Sequence, residues 1–254
     1  NGTLIHQSGK YGEYLGVLDV EIEDGKITGF DGENINTENI PQNDEIMKEI
    51  SKQKCIALET LSKPLYKIDV DLWHDVVEEN PITNLLADAL LDVIPCDLSI
   101  INSGVISGGI RKGTVSNKKL LEISPSPLNP TYMEIKGKYI KEALRLSLKA
   151  DVCLQDGRGA GFRGKYLGRL HVSNAIIEHN GKDILKVKLK DGVLEDEKIY
   201  RVATSDYLQR GTGYTSLANN KNEKYNPEYM RDVLREYLNR KEFVERCFKD
   251  RWVR

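Results

Sequence analysis

Cysteine is scarce, with four residues in 254, and Cys55, Cys96, Cys153 and Cys247 form no C-x-x-C pair. That spacing excludes a zinc ribbon or a thioredoxin-type redox motif. Isolated thiols in a chain of this size read as core or surface residues of a reduced protein. The compartment therefore leans to the cytoplasm, with an extracellular location and two long-range disulfides left open. No run approaches ~18 apolar residues, so no segment reads as a membrane-spanning helix. No basic segment followed by an apolar stretch stands at the N-terminus, so no secretory signal is read there. The start at Asn1, without a Met, points to a shortened chain and leaves a leader further upstream open. The 37 basic residues against 39 acidic ones give a net charge of −2, no reason to expect a nucleic acid polymer or an anionic membrane as partner. His6, His74, His171 and His179 show no D-x-H, H-x-H or H-E-x-x-H spacing, and there is no G-x-S-x-G or P-loop. No nucleophile, base or metal cluster is legible.

What is present is ordinary globular composition, with 39% hydrophobic and 30% charged residues, which excludes a disordered or collagen-like chain. A chain of this size buries roughly three quarters of its unfolded surface. The apolar-rich run from Leu15 to Ile22, the Asp24-Gly25 turn signal and the return from Ile27 to Phe30 predict a β-hairpin over 1–30. Two strands cannot stand alone in water, so the hairpin requires a packing partner. The polar, Asn-rich stretch 31–44 reads as loop. A linker helix is expected over 43–63, with Asn43 or Asp44 as N-cap and Ile46, Met47, Ile50, Ile56 and Leu61 on its apolar stripe, ended by Pro64. The main domain then runs over 65–254. Asn80-Pro81 opens a helix carrying Leu85, Leu86, Ala89, Leu90 and Val93. Strands are expected at 98–101, around Met133 and Ile135, at Leu170 and Val172, at Val187 and Leu189, and at 200–204. Gly137 turns into a helix, and Asn226-Pro227 caps a final one. Helices and strands mix without strict alternation, so the class is α+β or mixed α/β.

Three loops at strand ends carry the candidate chemistry. Asn102-Ser103-Gly104 follows a buried-type strand and continues to Arg111, an arrangement that suits an anion: glycine admits close approach and a guanidinium grips two oxygens. It equally suits a flexible connection with a solvated arginine. Gly157 to Gly164 (GRGAGFRG) sets Phe162, Arg158 and Arg163 among four glycines. A ring held there offers its face to a planar ligand, or the loop is simply a glycine linker. It lacks the spacing of a dinucleotide-binding turn. Asp206-Tyr207 and Gly211 to Tyr214 repeat the theme, with Tyr207 either facing a ligand or covering a core edge.

The order of these segments resembles the 5'-nucleotidase / UDP-sugar hydrolase family. Gly2 to Gly16 (GTLIHQSGKYGEYLG) is similar to the last strands of that family's metallophosphatase domain. Asn80-Pro-Ile-Thr-Asn84 through Asp88 resembles its S-P-L-G-N-L-x-A-D-A helix opening, and Asn102-Ser-Gly104 its N-G-G-x-I-R loop. Gly113-Thr-Val-Ser116 resembles its G-x-I-T, Pro127-Leu-Asn129 its P-F-x-N turn, and Tyr200 to Thr204 with Gly213-Tyr214 its Y-x-V-A-T … G-G-D-G-Y. The segment Gly159 to Lys165 looks like a Gram-positive bacterial subgroup.

The resemblance implies a mixed sheet with flanking helices, acting as the substrate-recognition domain of a metal-dependent phosphohydrolase. The catalytic centre, with two divalent metal ions, would lie in an N-terminal metallophosphatase domain outside this chain, of which 1–30 is the tail. The partners implied are a small-molecule nucleotide or nucleoside and that domain. Carried over by position, Asn102, Gly104, Arg111, Phe162, Arg163, Tyr207 and Gly213 contact substrate, with Tyr166 a fallback for Phe162 and no catalytic or metal residue. The family's first arginine falls on Ser107 and its ribose-binding Asp on Thr212, two departures that leave substrate identity open. The rival expectation is a non-catalytic interaction module with a decayed pocket.

Overall fold

The computed structural model describes residues 3–159 and 161–254, which form two units, one running to Ala57 and the other spanning Leu58–Arg254. Gly2 of the first family-like segment and Ala160 of the glycine-rich loop lie outside the described residues.

The first unit is a hairpin of β1 (Tyr14–Glu23) and β2 (Lys26–Asn36). Asp24 and Gly25 turn it with φ of 48° and 74°, as a tight hairpin turn with both central residues left-handed requires. The second strand runs past Phe30 to Asn36, so the first residues of the expected loop pair instead, Ile35 opposite Leu15 and Asn36 opposite Tyr14. Polar sequence does not forbid a strand that is exposed along most of its length. Leu15, Leu18, Val20, Ile22, Ile27 and Phe30 are all exposed. Helix α1 (Asp44–Leu61) is capped by the Asn43 carboxamide, which accepts from the Glu45 and Ile46 amides. None of its residues is buried, although the apolar stripe is there, and Met47 and Leu61 are half-buried.

The second unit is built on a five-stranded mixed sheet. Its strands are β4 (Leu98–Asn102), β6 (Pro130–Lys136), β7 (Leu170–Ser173), β11 (Ile199–Ser205) and β12 (Asn220–Tyr225), in the order β12-β6-β11-β4-β7. Only β11 and β4 run parallel. A smaller sheet orders β10 (Gly192–Val193), β9 (Ile184–Leu189), β8 (Ala175–His179) and β13 (Trp252–Val253). β3 (Pro64–Ile68) and β5 (Gly113–Ser116) form a separate pair. The helices are α2 (Pro81–Val93), α3 (Asn117–Ile123), α4 (Gly137–Leu146), α5 (Ala150–Cys153), α6 (Asp206–Gln209), α7 (Met230–Tyr237) and α8 (Lys241–Arg246). The expected last helix begins at Met230, after Asn226-Pro227, and is followed by α8 and β13. Both are too short and too charged in flanking sequence to show a period.

Helix α2 explains the unit's interior. Asn80 accepts from the Thr83 amide and Pro81 stands in the first turn, where its missing N–H is no loss. Ile82, Leu85, Leu86, Ala89 and Leu90 are fully buried, each large side chain stabilising by about 1.5–3 kcal/mol. The polar positions of the family-like motif, Asn80, Asn84 and Asp88, lie one turn apart and are buried too. The Asn80 carboxamide donates to His171 Nε2 at 3.2 Å, and His171 Nδ1 donates to Asn84 Oδ1 at 2.9 Å. Asp88 accepts from Ser173 Oγ, Arg246 Nε and Arg251 Nη2 at 2.5, 3.0 and 2.8 Å. The motif is therefore a polar seam that joins the helix to β7 and to the C-terminal segment.

His171 is held neutral in that seam. Burial, then the charges of Arg251 and Arg169, push its pKa well below the ordinary 6.5. His74 and His179 are lowered as well, also first by burial. A folded base with a depressed pKa binds fewer protons than the unfolded chain once the pH falls below 6.5, so stability declines there. The urea midpoint is expected to drop between pH 7.5 and 5.5, before the carboxylates titrate. A midpoint that is flat or rises on acidification over that range contradicts this assignment.

Candidate functional site

Three chain segments meet at the C-terminal end of β4. Its five residues are all buried, and the strand closes at Asn102, whose Nδ2 donates to the Leu167 carbonyl at 2.5 Å. The Ser103 amide donates to the Arg169 carbonyl, Ser103 Oγ to the Val76 carbonyl at 2.9 Å, and His74 Nε2 to the Ser103 carbonyl at 3.0 Å. A Cβ on Gly104 would lie 2.0 Å from the Tyr166 carbonyl oxygen and 2.3 Å from that of Leu167. A Cβ on Gly213, at φ 76°, would meet Leu167 Cδ1 at 2.2 Å. Beside it Tyr214 is fully buried and donates to the Gly168 carbonyl at 2.7 Å. Asn102, Gly104 and Gly213 thus do the packing that brings 164–168 against the sheet end. They frame the site from below, with the Asn102 carboxamide committed to backbone on its nitrogen side.

Above this frame lies the aromatic pair. Tyr207 sits in the first turn of α6, where Ser205 Oγ accepts from the Leu208 amide at 3.1 Å. The turn is clamped to the Pro127-Leu-Asn129 segment: the Asp206 amide donates to the Asn129 carbonyl, and the Asn129 amide to Asp206 Oδ1. Phe162 comes from the glycine-rich loop. Its amide donates to the Gly159 carbonyl, and the Arg163 amide donates to Ser126 Oγ at 2.9 Å. The Phe162 and Tyr207 rings stack with centroids 4.5 Å apart and planes 22° from parallel. Both are buried, at 7% and 3% exposure. Each ring covers a face of the other, so of the two readings left open for Tyr207 the ring here lies at a buried edge and is not presented to solvent. Burial raises the Tyr207 phenol pKa, opposed by a hydrogen bond with the Arg158 backbone.

Arg111 does not join them. It follows Ile110, which pairs with Leu72 in a two-hydrogen-bond bridge at 2.8 and 2.9 Å. Its side chain is exposed, and among the described residues it shares no hydrogen bond, ion pair or ring contact with the aromatic pair. Ser107 is exposed and its amide is spent on the Ile123 carbonyl. Arg163 is exposed at the site's edge. Thr212 stands close to Gly159, its Cγ2 being 3.6 Å from where a Gly159 Cβ would be. Pro127 of the family-like turn and the Arg158 backbone complete the surroundings, with Ser126, which was not singled out from sequence. The signal available for them was Asn129, whose motif position marks the turn that fastens Tyr207.

The arrangement is a buried stack of two flat rings whose phenol meets the Arg158 backbone. Among the described residues no group of three His, Cys, Asp or Glu side chains could hold a metal ion, so the residues present do not fit a two-metal centre. A cavity of about 540 Å³ bordered by Asp88, Ser173, Lys188, Arg246 and Arg251 shares no residue with the rings.

The profile of the family described as 5'-nucleotidase, C-terminal domain, matches residues 57–219. The chain belongs to that family, with the mixed α+β fold of its C-terminal domains. Two Bacillus subtilis relatives are similar to it. An uncharacterized metallophosphoesterase, YunD, is 26% identical over 92% of this chain and 53% of its own length. The trifunctional nucleotide phosphoesterase protein YfkN is 25% identical over 84% of this chain and 15% of its own. The crystal structure of a 5'-nucleotidase precursor from Thermus thermophilus superposes with a TM-score of 0.62 at 20% identity, over 98% of this chain and 51% of that one. The chain thus spans about half, or less, of the length of the proteins it matches. Among the described residues no helix is long and apolar enough to cross a membrane.

Proposed function

We propose that this chain is the substrate-recognition domain of a metal-dependent nucleotide phosphohydrolase, and that the Phe162–Tyr207 pair receives the base of a nucleotide or nucleoside. The observation that carries the reading is the ring pair itself, two aromatics distant in sequence and stacked at a sheet end. Residues 1–30 are the tail of a metallophosphatase domain, 31–64 the linker, and 65–254 the recognition domain. The bare apolar side chains of the hairpin and the greater length of the relatives support that division. No described residue of this chain would hold the two divalent ions; in a preceding domain they would supply the phosphate-binding and water-activating chemistry. This chain contributes position and specificity.

A thermal-shift panel of nucleosides and nucleotides tests the reading. A ligand at 100 times its Kd stabilises by about 2.7 kcal/mol, which for a domain of this size raises Tm by roughly 5–10 °C. The family resemblance gives Arg111 the phosphate, although among the described residues it makes no contact with the rings: Arg111→Ala should reduce the shift given by AMP and leave that of adenosine unchanged. No shift with any member of the panel would favour the decayed-pocket module, for which Ser107 and Thr212 at the anion and ribose positions already argue.

A further inference from the structure

We infer that Phe162 is a placeholder: stacked on Tyr207 as here, its ring takes the berth of the ligand's planar ring and must withdraw from Tyr207 before that ring can bind. The inference rests on the proposed nucleotide reading. A planar ring between two others needs about 3.5 Å on each side, so the flanking centroids must stand about 7 Å apart; here they stand 4.5 Å apart. One ring therefore has to move. Tyr207 is fixed by its helix cap and by both hydrogen bonds between Asp206 and Asn129. Phe162 hangs between Gly159, Gly161 and Gly164, whose backbones carry no Cβ restraint.

The closed seat of Phe162 is itself built. A Cβ on Gly157 would lie 2.0 Å from Phe162 Cε1, and its three nearest atoms all belong to that ring. Gly164 also gives way to the ring, at 2.7 Å from Cζ, though a Cβ there would strike the Gly104 carbonyl first. Gly157 is not in the left-handed region, so alanine there evicts the ring without straining the backbone. A ligand that must displace a stacked ring binds more weakly by the fraction of time the seat is open.

The test is a nuclear Overhauser and titration experiment on the full chain with adenosine. In the free protein Phe162 and Tyr207 ring protons show a mutual Overhauser contact, which disappears at saturating adenosine. Gly157→Ala, with folding checked by its unfolding transition, should bind adenosine about 3- to 10-fold more tightly, the worth of an aromatic pair. A ring contact that persists in the adenosine complex overturns the placeholder and leaves the nucleotide reading intact. So does equal or weaker binding by a folded Gly157→Ala. Absence of binding to adenosine and AMP by both proteins defeats the nucleotide reading, and the placeholder with it.

Discussion

Replacing Asp88 by Ala should lower the unfolding free energy of this chain by about 3–5 kcal/mol, the usual consequence of removing one partner of a buried ion pair. Asp88 is 2% exposed and Arg251 6% exposed. The Arg251 guanidinium donates to Asp88 and to the Asn84 and Val172 carbonyls. Without the carboxylate its charge stays in the interior, held only by neutral carbonyls, and Ser173 Oγ loses its acceptor. The penalty is thus mostly that of an uncompensated charge and only partly that of a lost contact. Arg246 reaches the same carboxylate from a half-exposed position, where screening leaves an ion pair worth about 0–1 kcal/mol. Urea unfolding of Asp88→Ala and Arg246→Ala separates the two. Equal losses would mean that Asp88 serves only the surface pair.

Gly104→Ala should be the next most damaging change. Its Cβ would stand 2.0 and 2.3 Å from two successive carbonyl oxygens. Backbone cannot turn aside as a flexible side chain can, so the 166–167 segment must shift. Overpacking of this kind costs about 1–3 kcal/mol, occasionally more. The shift also pulls the Leu167 carbonyl from Asn102 and disturbs the contact of Leu167 with the Gly213 turn. Gly108→Ala is the control, because its Cβ meets nothing closer than 4.0 Å. Thermal unfolding should show a large loss for Gly104→Ala and none for Gly108→Ala. Similar melting temperatures for both would refute the close approach.

Much of the second unit was legible because its apolar residues keep strict periods. The α2 stripe and the buried strand at 98–102 have no competing reading, and Asn80-Pro81 marks the helix start by chemistry that works locally. The short strands β8, β10 and β13 were not legible, since they owe their form to pairing partners distant in sequence. The polar β12 strand is an exposed sheet edge with no period to detect. In the candidate site, the sequence pointed to the loops that follow β4 and β11 and to the glycine-rich loop, but not to how they pack on one another. Asn102, Gly104 and Gly213 resemble ligand-contact positions, yet their immediate partners are the Leu167 carbonyl, the Tyr166 and Leu167 backbone and the Leu167 side chain. Which glycines admit a neighbouring chain depends on tertiary approach, and one sequence does not encode that visibly. The closure of Phe162 on Tyr207 was hidden for the same reason.

The central claim is that a planar ring binds against Tyr207. Calorimetric titration of adenosine into the unmutated chain and Tyr207→Leu tests it most directly. Tyr207 is buried, so Leu preserves apolar volume where Ala would open a cavity, while removing the flat face. Tyr207→Leu should fold and bind adenosine more weakly by roughly 1–3 kcal/mol, the worth of a stacked base. Adenosine affinity that is the same in both proteins would contradict it.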